Sequence, residues 1–139
     1  MPSYLEMLLP TLQALDDLGG SGTKDEIDQE VIRIMGLTDE QLAVEFPPEA
    51  TQKGSKVIHR LAWARTYLKK FGAVDNSRRG VWTLEPPGRQ YIEMNPAQAG
   101  KALRTADYEV RRQSRARRVE TGVAVGLVDF WERAERAPS

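Results

Sequence analysis

The 139-residue chain carries 20 basic and 20 acidic side chains, one histidine and no cysteine. This length allows one domain with a modest core and a short appendage, and the composition excludes disulfides, thiolate zinc sites and a cysteine nucleophile. The longest apolar run, residues 123–128, is far shorter than the roughly 20 residues that span a bilayer, and residues 1–15 lack a secretory signal. We therefore expect a cytoplasmic protein that makes no membrane contact.

The first 50 residues predict two amphipathic helices and a short third one. Leucines recur at three- and four-residue spacing over residues 4–18, which predicts the first helix. Thr23 and Glu26 have the spacing of a capping box before a second helix that stops at Gly36, and a third helical turn starts at Thr38. Two basic and eleven acidic side chains give this part a net charge of −9, so it repels phosphate.

Residues 51–80 form a basic stretch, with eight basic side chains against one acidic side chain, a net charge of +7. The run 46–54 contains two prolines and predicts a loop. From Ser55 to Phe71, apolar residues fall within about 40° of one line, which predicts a helix with one side on a core. Such charge asymmetry within a small domain is expected when one face meets a polyanion.

The opposite side of this helix is predicted to be a polar and cationic surface that contains one large aromatic residue. It collects Ser55, Lys56, His59, Trp63, Thr66 and Lys70, with Arg60 and Tyr67 at its margin. Two alternatives stay open for Trp63, which either packs against the following hairpin or stacks on a base. His59 has no neighbouring ligand types and therefore predicts a hydrogen-bonding or DNA-contacting side chain, not a metal site.

The next elements predict a hairpin and then the end of the domain. Residues 73–75 and 81–84 have the character of two short strands, and the basic loop between them ends in Gly80, which can adopt a positive φ. Asn95 and Pro96 follow a short helix and mark a boundary near residue 95. Residues 97–119 hold seven basic and few apolar side chains, which predicts a solvated helix or a tail.

Three helices followed by a basic hairpin predict a mainly α (α+β) winged helix-turn-helix over residues 1–95, with a basic linker and helical C-terminal extension over 96–139. In this architecture the third helix enters a major groove and the hairpin reaches the flanking backbone. The candidate DNA-binding residues are Lys53, Ser55, Lys56, His59, Arg60, Trp63, Thr66, Lys70, Ser77, Arg78 and Arg79. If about five to eight phosphates are neutralised, the slope of log K against log salt is roughly −4 to −7.

Four segments resemble the N-terminal domain of Mrr-type restriction endonucleases. They are LLPTLQAL at 8–15, GLTDEQ at 36–41, LAWARTYLKKFGAVDNSRRGVWTL at 61–84 and GRQYIEMNP at 88–96. The resemblance implies a winged-helix module that binds double-stranded DNA, often modified DNA such as methylated DNA. In that family the module stands before a nuclease domain of the PD-(D/E)xK type and directs it to DNA.

The sequence predicts no catalytic activity, no catalytic residues, no cofactor and no metal. It contains no Asp followed by Glu-x-Lys that would hold Mg²⁺, and one histidine without cysteine does not supply a nucleophile, a base and an orienting group. The predicted function is therefore the DNA-targeting part of a restriction system, either part of a larger nuclease or a standalone relative. The alternative is a protein-interaction or dimerisation module, because the apolar run 123–131 needs a partner, either the first domain or a second copy in a homodimer.

Overall fold

The computed structural model describes residues 2–121 and shows a winged helix-turn-helix of the α+β class, which confirms the predicted fold. The helices are α1 (Tyr4–Asp17), α2 (Lys24–Met35), α3 (Asp39–Leu42), α4 (Lys56–Lys70), α5 (Pro86–Glu93) and α6 (Pro96–Thr121). The strands are β1 (Ser21–Gly22), β2 (Val74–Asp75) and β3 (Trp82–Leu84). The apolar run 123–131, for which we expected a partner, lies outside the described residues.

Side-chain caps fix where the helices of the first half begin. The predicted capping box is present in α2, where the Thr23 hydroxyl accepts from the Glu26 amide at 3.2 Å and the Glu26 carboxylate accepts from the Thr23 amide at 2.9 Å. Thr38 and Gln41 form the same arrangement at the start of α3. A cap of this kind contributes about 1 kcal/mol. The local sequence therefore determines these helix starts, as predicted.

The core lies between α1, α2 and α4, and the sheet closes one end of it. Fully or nearly fully buried side chains of α1, including Leu8 and Leu12, pack with Ile27 of α2 and with Leu61 and Leu68 of α4. Burial of each such side chain stabilises the fold by about 1.5–3 kcal/mol. The apolar line predicted for α4 therefore faces the core, which turns another side of this helix toward solvent.

The sheet has three strands, one more than the predicted hairpin. β3 is central and pairs antiparallel with β1 and with β2, with Thr83 opposite both Ser21 and Asp75. The glycine-rich residues 19–22 predict only a turn, because the pairing of β1 depends on a strand about 60 residues further along the chain. We call residues 74–84 the wing. Its loop ends at Gly80, where φ is +77° as expected.

The helix α6 packs on the domain instead of remaining fully solvated as predicted. Ala99, Leu103 and Asp107 recur every four residues and are at most 2% exposed, and α6 lies against α1 and α5. These three residues do not stand out in a segment with seven basic and few apolar side chains. The composition therefore indicated a solvated helix or a tail. The boundary at residue 95 stays a prediction.

A buried polar network fixes α6 to α1. The Tyr4 hydroxyl donates to both carboxylate oxygens of Asp107 at 3.0 and 3.1 Å, and Arg111 pairs with the same carboxylate at 2.9 Å. Burial raises the pKa of Tyr4, and the charge of Asp107 acts in the same direction, so the phenol remains a donor. The ring of Tyr4 also stacks on Tyr67 of α4, with centroids 5.3 Å apart. None of the helices within residues 2–121 combines the length and apolar character needed to cross a membrane.

Candidate nucleic-acid interface

One side of α4 faces solvent along the whole helix, and we call it the outer stripe. It consists of partly or fully exposed residues at three- and four-residue intervals, namely Ser55, Ile58, His59, Ala62, Thr66, Lys69 and Lys70. With 15 residues at about 1.5 Å each, α4 is about 22 Å long. The stripe therefore has the dimensions of a groove-binding helix face, and it is apolar or neutral in its middle and cationic at its C-terminal end.

Two residues predicted to face outward from α4 are buried. Lys56 is 7% exposed, and its ammonium lies 5.9 Å from the ring centroid of Phe46 in the preceding loop. Trp63 is 3% exposed and packs edge-on against Tyr67, with centroids 4.8 Å apart. The prediction of an exposed position is wrong for both, because the loop before α4 covers Lys56 and because Trp63 packs inside the protein. Of the two alternatives for Trp63 the structure shows packing, with Tyr67 as its ring partner.

The N-terminal half of α4 holds the loop that precedes it. The His59 Nε2 donates to the backbone oxygen of Lys53 at 2.8 Å, and its ring packs edge-on against Phe46 at 4.9 Å. The Ser55 hydroxyl caps α4 by accepting from the amide of Ile58 at 3.4 Å. The Lys53 ammonium donates to the Pro48 oxygen at 2.6 Å. These polar atoms, predicted as DNA contacts, make hydrogen bonds within the protein.

Arg60, which was predicted to contact DNA as a donor to guanine, points toward the start of the chain. Its guanidinium donates to the backbone oxygen of Pro2 at 3.1 Å, and the side chain is partly buried. The helical phase of Arg60 lies about 140° from Ser55, which places it on the flank of α4 and not on the outer stripe. The structure therefore separates Arg60 from the exposed candidates.

The C-terminal end of α4 leads into the wing, and most of the exposed cationic candidates lie in these two consecutive elements. Lys69 and Lys70 end the outer stripe, and Arg78 and Arg79 lie exposed in the wing loop. Hydrogen bonds from Ser77 lower the pKa of Asp75 at the start of that loop, and the charge of Lys69 acts in the same direction. The backbone oxygen of Lys69 accepts from the Gly72 amide at 3.0 Å, two residues before β2 begins, so Lys69 lies next to the base of the wing. Neither wing arginine forms an ion pair within residues 2–121.

A buried ion pair holds α2, α4 and the wing together. Arg65 of α4 pairs with Asp28 of α2, and the two side chains are 7% and 11% exposed. The guanidinium also lies 5.7 Å from the ring centroid of Trp82 in β3. Burial raises the pKa of Asp28 to about 6, although the charge of Arg65 acts in the opposite direction. In the sequence Arg65 is only one of the eight cations of the basic stretch, and this buried role was not predicted.

The remaining candidates, Thr66 and Lys70, differ in the contacts that they already make within the protein. Thr66 lies on the outer stripe, and its hydroxyl donates to the Ala62 oxygen at 3.1 Å while keeping its acceptor sites open. The Lys70 ammonium lies 5.2 Å from the ring centroid of Tyr67. Three members of the stripe, Ile58, Ala62 and Lys69, were not predicted to face outward. The helical phase contained this signal, because Lys69 lies only about 40° from Ser55 around the helix axis.

Within residues 2–121, no three histidine, aspartate or glutamate side chains gather into a cluster that would hold a metal ion. Three of the four acidic side chains of α2 serve other roles. Glu26 belongs to the helix cap, Asp28 to the buried ion pair, and Glu30 pairs with Arg33 on the surface.

Comparison with known proteins places these features in a family. Residues 4–94 match the Mrr N-terminal domain. The chain is 25% identical over 143 residues to the type IV methyl-directed restriction enzyme EcoKMrr of Escherichia coli (strain K12), an alignment that covers 99% of this chain and 45% of that enzyme. The chain thus spans less than half the length of this relative, and no solved structure matches it. Because the family match extends over most of the chain, the protein belongs to the family of the Mrr N-terminal domain.

Proposed function

We propose that this protein binds double-stranded DNA and serves as the DNA-targeting part of a restriction system. The observation that carries the proposal is a set of exposed cations at the two ends of α4 and in the wing, which we call the α4–wing surface. It consists of the five exposed basic residues of the basic stretch, Lys53, Lys69, Lys70, Arg78 and Arg79. The first 50 residues carry a net charge of −9, so that part of the molecule does not attract a polyanion.

The geometry of α4 suits a major groove. A groove about 12 Å wide admits one α-helix. The outer stripe extends along all of α4, about four helical turns, so several of its side chains can face the groove at once. Ile58, Ala62 and Thr66 occupy the middle of the stripe, where base edges lie in such a complex. The cations at its C-terminal end and in the wing are then placed to contact phosphates on either side.

Base recognition in this arrangement depends on small and apolar groups and not on arginine. Lys56 and Arg60 make contacts within the protein, whereas Ile58 is 40% exposed on the outer stripe. An apolar side chain in the major groove contacts methyl groups such as that of thymine. The relative EcoKMrr is named as methyl-directed, and we extend the proposal to methyl groups of modified bases in contact with Ile58.

Titration of a labelled mixed-sequence duplex at several salt concentrations tests DNA binding. The five exposed cations of the α4–wing surface predict a slope of log K against log salt of about −4 to −5, at roughly −0.9 per phosphate. Any further cationic contact makes the slope steeper. Weak binding that does not depend on salt would refute the proposal and favour the alternative, a protein-interaction module.

A charge-matched pair of double variants locates the binding surface. Arg78→Ala with Arg79→Ala should weaken binding to all duplexes alike and flatten the slope by about 2, because two phosphate contacts are lost. Lys24→Ala with Arg33→Ala removes the same charge from exposed positions on α2 and should leave the slope unchanged. Equal slopes for the two variants would place the wing outside the interface.

A panel of unmodified, adenine-methylated and cytosine-methylated duplexes tests the role of Ile58. Ile58→Ser should reduce the preference for the methylated duplex that the wild-type protein binds best, while the salt slope remains unchanged because no charge is lost. A wild-type protein that binds all three duplexes equally would refute methyl recognition and leave only the proposed binding to DNA in general.

A further inference from the structure

The exposed side of α6 carries a second row of cations. Lys101, Arg104, Tyr108, Arg112 and Arg115 are all exposed and lie within about 60° of one line along the helix. We call them the α6 stripe. The residues 101 and 115 are 14 positions apart, so the stripe extends over about 21 Å at 1.5 Å per residue. Tyr108, near its centre, is 58% exposed.

We propose that the α6 stripe binds the sugar-phosphate backbone of DNA as a contact surface separate from the α4–wing surface. This inference rests on the proposed DNA-binding function and extends the footprint of the protein beyond the recognition helix and the wing. The cations bind phosphates of the backbone, and the hydroxyl of Tyr108 donates to a phosphate oxygen.

The α6 stripe is held in a fixed position, because the opposite side of the helix is anchored. Ala99 and Leu103 are buried against the domain, and the Asp107 carboxylate accepts from Tyr4 and pairs with Arg111. A rigid helix loses less conformational freedom on binding than a flexible basic tail does. The anchored α6 therefore presents its cations in a preorganised row.

The acidic side chains of α6 leave much of this row positive. Asp107 is fully buried beneath the stripe and is used in the anchoring network. Glu109 pairs with Arg112 at 3.0 Å, an exposed contact of the kind that contributes little. Lys101 and Arg104 form no ion pair with any residue in the described part of the chain. Their charges are available to an external anion.

The composition of the α6 stripe favours a phosphate backbone over a protein partner. The buried centre of a protein interface is depleted of charged residues, above all lysine, and enriched in apolar and aromatic ones. The stripe has one aromatic residue among four cations and contains no aliphatic side chain. Arginine forms bidentate bonds to phosphate, and tyrosine, lysine and arginine are typical backbone contacts.

The decisive variant is Lys101→Ala with Arg104→Ala in the full chain, measured on a duplex of about 30 base pairs, which is about 100 Å long. Loss of two contacts should flatten the salt slope by about 2, so that between roughly 50 and 200 mM salt the variant loses about tenfold less affinity than the wild type does. Lys24→Ala with Arg33→Ala is again the charge-matched control. Tyr108→Phe should weaken binding without changing the slope.

The outcomes separate this inference from the proposed function. A wild-type protein without salt-dependent DNA binding overturns both. A steep wild-type slope that Arg78→Ala with Arg79→Ala flattens and Lys101→Ala with Arg104→Ala does not would overturn the α6 contact alone. If Lys101→Ala with Arg104→Ala keeps the wild-type salt slope but abolishes self-association of the protein, the α6 stripe binds an acidic protein surface. That result would also overturn the α6 contact with DNA. Additive flattening by about 4 in the quadruple variant supports two independent surfaces.

Discussion

The two ends of the basic stretch look alike in sequence but have different roles in the structure. Around the N-terminal half and the buried flanks of α4, Lys56, Arg60 and Arg65 contact Phe46, Pro2 and Asp28 and stabilise the fold. At its C-terminal end and in the wing, the cations are exposed. A net charge of +7 therefore overstates the charge available to DNA, because three of the eight cations are partly or fully buried in contacts within the protein. Charge counts in a small basic domain need to be separated by burial before they predict a binding surface.

The largest expected effect comes from Arg65, the most buried cation of the stretch. Arg65→Met leaves the Asp28 carboxylate buried without its partner and should lower the free energy of unfolding by about 3–5 kcal/mol. Chemical denaturation measures this loss. Lys69→Met, an exposed neighbour on the same helix, should change stability by less than about 0.5 kcal/mol.

The combination of Asp28→Leu with Arg65→Met serves as a second control. It removes both charges, so it should recover most of the stability lost by Arg65→Met, since a buried pair replaced by apolar side chains is often nearly neutral. If Arg65→Met alone is as stable as the wild type, Arg65 does not stabilise the junction of α2, α4 and the wing.

The next effect is a pH dependence that originates in the same ion pair. The pKa of Asp28 is raised by burial from its ordinary 3.8 to about 6, so the folded protein binds this proton more tightly than the unfolded chain does. The associated stability is fully present below about pH 4 and is lost as the pH rises through about 6. Relative to Asp28→Asn, the wild type should lose about 3 kcal/mol between about pH 4 and pH 7. A difference in unfolding free energy that stays constant over this range would contradict the raised pKa.

A third effect, on DNA affinity, compares the two ends of the stretch directly. Lys69→Ala with Lys70→Ala should flatten the salt slope by about 2, whereas Arg60→Ala, which loses a bond to Pro2, should leave the slope nearly unchanged. The same duplex titration measures both variants. A flattened slope for Arg60→Ala would show that this guanidinium leaves the Pro2 oxygen and contacts a phosphate, which is a DNA contact but not the base contact predicted from the sequence.

Most of the fold could be predicted from local sequence signals. The leucine spacing of α1, the capping residue Thr23 and the apolar line of α4 each depend on residues close together in the chain. The strand β1 and the buried side of α6 could not be predicted in this way. Both are defined by partners far along the chain, Thr83 for Ser21 and Tyr4 for Asp107.

The candidate site could be predicted only in part, and for a similar reason. Helical phase identifies the side of α4 that faces the core. It does not show which of the other positions are covered by a distant part of the chain. The loop that folds back through Phe46 covers Lys56, and Tyr67 packs on Trp63. The wing arginines were predicted as exposed because a loop tip has few neighbours to cover it. Lys69 could have been assigned to the outer stripe from its helical phase alone, but it was not.

The smallest expected effect concerns His59, which distinguishes a loop-holding role from a DNA contact. His59→Phe keeps the ring beside Phe46 but loses the hydrogen bond to Lys53, so stability should fall by about 1 kcal/mol and protease should cut residues 46–54 more readily. DNA affinity should fall only slightly, through the less ordered Lys53. If stability and proteolysis are unchanged while affinity drops on every duplex, then His59 contacts DNA. In that case the DNA interface would include the N-terminal half of α4 as well as its C-terminal end.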